Sequence, residues 1–147
     1  MKVGIVSDHR GIYLKSSLIE YLEHSGYKVI NYGTDTNESV DFPEFAVKLG
    51  EGINKKDVDF GIAICGTGIG MSIVLNKIKG IYCAKISNLS EAVLCREHNN
   101  ANVMAISADI SLEIVKSMCD KFLVTSFLGD DKYVRRNNMI KDIENNG

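Results

Sequence analysis

The segment Cys65-Gly66-Thr67-Gly68-Ile69-Gly70 puts one thiol ahead of three glycines at alternate positions, directly after the apolar run Phe60-Gly61-Ile62-Ala63-Ile64. Backbone this bare has four uses: a phosphate cradle, a redox or metal thiol, a catalytic residue, or a tight strand-to-helix turn. The phosphate cradle is the weakest of these. Gly61 to Gly66 has P-loop spacing, but Thr67 and Gly68 follow where lysine and Ser/Thr are required. The dinucleotide fingerprint fails as well, because Met71 takes the third glycine's place. The next strand pattern then ends in Ser87-Asn88, where an acidic residue would hold a ribose. No C-x-x-C links Cys65, Cys83, Cys95 and Cys119, and no histidines pair at i, i+4, which argues against a metal centre.

What remains is a thiol at a strand end, beside amides that point out of a helix N-terminus. Such a field favours negative charge and, on a cysteine, the thiolate. A thiolate there suits two reactions: attack on an acyl group, or removal of a proton next to a carbonyl while the amides hold the enediolate oxygen. A buried cysteine at a tight turn is the plain alternative. Two further polar groups accompany it, Ser7-Asp8-His9-Arg10-Gly11 and His98-Asn99-Asn100. Each has a structural use too. Asp8 suits a helix cap, His98 a helix C-terminus, and Asn99 or Asn100 a left-handed cap. His24 and the Arg135-Arg136 pair read as solvated helix residues.

The elements that must position these residues alternate in type. Strand patterns cover 2–7, 28–32, 60–65, 81–86 and 102–107, several of them apolar on both faces as buried parallel strands are. Leu14, Leu18, Ile19 and Leu22 form one helical stripe, and Leu112, Val115, Cys119 and Phe122 another. Pro43 opens a helix over 43–54. Further helices are expected over 68–78, 89–98 and the closing VRRNNMIKDIE, with the ENNG tail fraying. The pattern predicts an α/β fold: a Rossmann-like, doubly wound three-layer α/β/α sandwich on a five-stranded parallel sheet. Right-handed crossovers put every strand's carboxyl end on one edge, where ligands bind in such folds. Asp8, His9, Cys65 and Thr67 are expected at that edge. His98 lies before a strand, so it would join them only from a neighbouring subunit or along a bent loop.

Composition narrows the class. The 147 residues suit one domain, 1–147, and a formal charge of −2 supplies no basic field for nucleic acid. No run reaches the ~18 apolar residues of a membrane helix. MKVGIVSDHR enters a strand pattern at once and leaves no room for a signal peptide, so a cytoplasmic protein with reduced cysteines is expected. Cys83, Cys95 and Cys119 read as small core residues.

Five segments, SDHRG, ESVDFPEFA, GIAICGTGIGMSIVLNKIKGI, REHNNANVMA and KYVRR, occur in order over almost the whole chain. Together they resemble ribose-5-phosphate isomerase B and the related galactose-6-phosphate and allose-6-phosphate isomerases. The resemblance implies an aldose–ketose isomerase of carbohydrate metabolism, with ribose 5-phosphate as the expected substrate and no metal or organic cofactor. Cys65 matches the base that moves a proton between C1 and C2. His98 matches the ring-opening acid, with Asp8 or Thr67 assisting. Asp8, His9, Gly66, Thr67, Gly68, Ile69, Gly70 and Asn99 match substrate-binding positions, and Lys132 and Arg136 positions that hold the phosphate. It also implies a homodimer with sites shared between subunits, and leaves open whether dimers pair into a tetramer. The chain departs from the family where Asp109 and Lys132 replace its usual arginines. Arg10 is the candidate that restores positive charge. A non-catalytic sugar-phosphate sensor is the alternative of another class.

Overall fold

The strands of the sheet are β1 (Lys2–Ser7), β2 (Lys28–Asn31), β3 (Phe60–Cys65), β4 (Cys83–Lys85) and β5 (Val103–Ser107) in a computed structural model that describes residues 1–147. All pair in parallel, in the order β2-β1-β3-β5-β4. Six helices complete the α/β sandwich expected from the sequence: α1 (Ile12–His24), α2 (Phe42–Asn54), α3 (Ile69–Asn76), α4 (Leu89–Asn99), α5 (Leu112–Val124) and α6 (Asp131–Asn146).

Alternation along the strands builds two cores. Val3, Ile5, Ile62, Ile64, Met104 and Ile106 face one side and pack with Leu18, Leu22, Val115, Cys119 and Phe122 of α1 and α5. Val6, Ala63, Cys65 and Ala105 face the other side, under Leu49 of α2 and Met71 and Leu75 of α3. Cys65 thus ends β3 on the α2–α3 face. Adjacent strands are in register, Ser7 with Ile64 and Cys65 with Ser107. The segments after β1, β3 and β5 therefore leave the sheet side by side.

Several boundaries differ from the sequence reading. β4 covers three residues rather than 81–86, because it is an edge strand paired only with β5. Ile81 and Ile86, which suggested the longer strand, are buried on either side of it. Burial pushes the Cys83 thiol up to about 12 and the Cys95 thiol to about 11, and raises that of Cys119 further. These three are inert packing groups. The ENNG tail does not fray: α6 continues to Asn146. Glu144 anchors it, its Oε1 accepting from the Gly80 amide at 3.0 Å and its Oε2 from the Tyr82 hydroxyl at 3.2 Å.

The most deeply buried of the charged side chains belongs to the first helix. Lys15 of α1 is 1 % exposed. Its Nζ donates to Asn31 Oδ1 at 2.9 Å, to Asp35 Oδ1 at 2.8 Å and to the Thr34 carbonyl, tying α1 to the segment that follows β2. The Lys15 hydrogen bond, helped by Asn31, holds the Asp35 carboxyl below its usual 3.8. A carboxyl lowered in the folded state contributes stability above its unfolded value and loses it as the pH falls through the folded one. Wild-type urea midpoints should therefore fall between pH 6 and pH 3 by more than those of Asp35→Asn. Equal acid sensitivity would contradict this role.

Candidate active site

At the carboxyl edge, β3 delivers Cys65 into a turn that only glycine tolerates at Gly68. That residue has φ 81°, and a Cβ on it would lie 3.0 Å from the Ile106 backbone. The turn carries the Gly68 amide back to Cys65 Sγ at 3.1 Å. A bond of this kind strengthens as the sulfur gains negative charge. The Thr67 hydroxyl accepts from the Ile69 amide at 3.1 Å and so helps to start α3. Ser107 donates to the Gly66 carbonyl at 2.8 Å, which turns the Thr67 amide of that trans peptide the other way. The Gly66, Thr67 and Gly70 amides have no acceptor in the chain. They are unpaired donors at a helix N-terminus, beside a buried thiol.

The other walls come from β1 and from the segment before α2. Asp8, 7 % exposed, accepts from the Arg10 amide at 2.9 Å and caps the short 3₁₀ turn over His9–Gly11, the structural use its sequence position suggested. The Asp8 amide donates to the Ile64 carbonyl at 3.0 Å, so Asp8 continues the β1–β3 register up to the level of Cys65. His9 Nδ1 accepts from the Val40 amide at 3.3 Å, which leaves the proton of the neutral ring on Nε2, a donor. Phe42 lies over Gly70: a Cβ there would come within 2.7 Å of its ring. Phe42, Val40 and Ser107 shape the site, and the motif reading did not single them out. Phe42 and Val40 lie in the quoted ESVDFPEFA segment, whereas Ser107 carried no signal beyond ending a strand.

His98 and Asn99 lie elsewhere in the chain. They end α4, and Asn100 takes the left-handed cap with φ 50°. Only residues 100–102 separate α4 from β5, so no bent loop can return His98 to Cys65. The five residues of β5 alone put roughly 13 Å between the two edges. Of the two routes open to His98, the bent loop therefore fails and His98 does not join Asp8, His9, Cys65 and Thr67 within a single subunit, because a helix that precedes a parallel strand ends at the strand's amino end.

His98 has its own company instead. Its ring stacks on Tyr133 of α6 with centroids 4.5 Å apart, and its carbonyl accepts from Asn137 Nδ2 at 3.0 Å. Lys132 Nζ sits 5.0 Å from the centre of the Tyr133 ring. Arg136 is four residues on, along the same helix face. Asn99 borders a cavity of about 200 Å³ with Tyr82, Phe127, Val134 and Asn137. The candidate residues thus fall into two groups: Asp8, His9, Arg10, Cys65, the 66–70 loop and Asp109 at one edge, and His98, Asn99, Lys132 and Arg136 at the other.

Comparison with known proteins gives a consistent match. The ribose/galactose isomerase family model matches residues 3–140. Ribose-5-phosphate isomerase B of Escherichia coli is 37 % identical over 129 residues, 87 % of each chain. The solved ribose-5-phosphate isomerase B of Clostridium thermocellum superposes with a TM-score of 0.96 at 41 % identity, covering 99 % of both chains. That of Mycoplasma genitalium, solved with bound ribulose 5-phosphate, has a TM-score of 0.93 at 32 % identity over 99 % of this chain and 97 % of that one.

Proposed function

Since the chain belongs to the ribose/galactose isomerase family and is a sugar-phosphate isomerase of the aldose–ketose type, we propose that it interconverts ribose 5-phosphate and ribulose 5-phosphate through a cis-enediolate, with Cys65 as the base. The observation that carries this reading is the Cys65 sulfur, bonded by the Gly68 amide beside the free amides of Gly66, Thr67 and Gly70. Base and oxyanion donors must lie together for proton abstraction next to a carbonyl. The ligand bound to the Mycoplasma genitalium relative supports the choice of sugar.

In this account the aldose phosphate enters as a ring and His98 protonates the ring oxygen, with Asp8 or Thr67 taking the hydroxyl proton. Cys65 removes the C2 proton of the open-chain aldehyde, and the loop amides stabilise the developing oxyanion. Passage of the C2-hydroxyl proton to O1 and return of the abstracted proton to C1 then give the ketose. His9 Nε2–H, Asn99, Lys132 and Arg136 hold the substrate's polar groups.

The two residue groups become one site in a homodimer, where His98 and α6 of one subunit reach Cys65 of its partner. The exposed side of α6 supports this arrangement. None of its residues is buried, and Val134, Met139, Ile140 and Ile143 all remain exposed. An apolar stripe of this kind suits burial against a second copy. No helix is long and apolar enough to cross a membrane.

The test is kcat/KM for ribose 5-phosphate, allose 6-phosphate and galactose 6-phosphate in one buffer. Ribose 5-phosphate should lead by about tenfold or more, as pockets discriminate between substrates differing by one carbon unit. A six-carbon leader would move the assignment within the family. Inactivity on all three would leave a binding protein.

A further inference from the structure

Within one subunit, only Arg10 of the chain's four arginines stands at the carboxyl edge beside Cys65. Arg96 is consumed by the Thr125 and Ala101 carbonyls and by Asn100, and Arg135 and Arg136 belong to α6. The Arg10 side chain folds back over the glycine loop: a Cβ at Gly66 would sit 2.6 Å from its Nη1. Its other end, Nη2, lies 3.9 Å from Asp109 Oδ2, and the two side chains are 55 % and 77 % exposed. Asp109 is itself fixed at the turn after β5, where its amide donates to Ser107 Oγ at 3.1 Å, the same hydroxyl that holds Gly66. A guanidinium is therefore held across the mouth of the site by a long, solvated contact that leaves most of its five donors unused.

Resting on the isomerase reading above, we propose that Arg10 and Asp109 form a displaceable ion pair in which the guanidinium receives the substrate's phosphate and the carboxylate is the competitor that phosphate must displace. A phosphate dianion offers more charge and a bidentate edge, so it outbids a single carboxylate at 3.9 Å. A neutral sugar cannot make this exchange. The pair therefore selects phosphorylated over free sugars, and Asp109 sets how tightly.

A double-mutant cycle tests the proposal, read as KM and kcat for ribose 5-phosphate and as the inhibition constant of inorganic phosphate. Arg10→Ala should raise KM and weaken phosphate inhibition by about tenfold, the scale of one charge-assisted hydrogen bond, with the loss falling on KM rather than kcat. Asp109→Asn should lower both constants by about threefold, the scale of an exposed ion pair, and most of that gain should vanish in Arg10→Ala/Asp109→Asn. An unchanged KM in Arg10→Ala, a raised KM in Asp109→Asn, or an equal Asp109→Asn gain with and without Arg10 would each overturn it. Calorimetry of inorganic phosphate binding to wild type and Arg10→Ala reads the same contact without turnover. An inactive wild type whose phosphate binding still depends on Arg10 would reject the isomerase reading and leave the pair standing.

Discussion

Cys65→Ala is expected to slow isomerisation by about 10²–10⁴-fold, the usual worth of a positioned general base, while sugar-phosphate binding stays measurable. The substitution removes the proposed base, whose sulfur accepts from the Gly68 amide. It leaves Asp8, His9, Arg10 and the loop amides in place. Alanine is tolerated structurally, since Cys65 packs among Val6, Met71 and Ala105 in the smaller core. Deleting its sulfur leaves a small cavity, with a cost of about 1 kcal/mol. A melting temperature near wild type beside lost turnover would locate the effect in chemistry. Turnover close to wild type would remove Cys65 from the mechanism.

His98→Ala is expected to cost about 10²-fold on ribose 5-phosphate, for a different reason. Its proposed task, protonating the ring oxygen, exists only while the sugar is cyclic. An aldotetrose 4-phosphate cannot close a furanose ring, because the oxygen that would attack the aldehyde carries the phosphate. On that substrate His98→Ala should lose little, whereas Cys65→Ala should lose as much as before. The stacked Tyr133 makes a control: Tyr133→Phe keeps the ring that supports His98 at 4.5 Å and should preserve both activities. Equal losses for His98→Ala on cyclic and acyclic substrates would place it outside ring opening.

The fold was legible because its signals are local. Runs such as Phe60–Cys65 are apolar on both faces and are separated by helical stripes, which leaves a parallel sheet as the economical solution. The glycine loop was legible for the same reason, since Gly68 at φ 81° is a local demand on one residue. Edge effects were less visible. Ile81 and Ile86 look like strand residues although the pairing of β4 with β5 covers only Cys83 to Lys85, and the terminal helix persists through Glu144, whose partners Gly80 and Tyr82 are more than sixty positions away. Non-local partnerships also hid Val40 behind His9 and Asp109 beside Arg10. The placement of His98 followed from topology: the end of a helix that leads into a parallel strand belongs at the opposite edge from Cys65.

The proposed division of the site between two subunits makes the account's central claim testable in one measurement. Cys65→Ala and His98→Ala chains carrying different tags would be co-expressed and the mixed dimer purified with both tags. Such a dimer pairs an intact Cys65 with an intact His98 in one of its two sites and has neither in the other. The account predicts that it recovers about half of wild-type turnover on ribose 5-phosphate, from two chains that are each nearly inactive as homodimers. A mixed dimer no more active than either parent would contradict it.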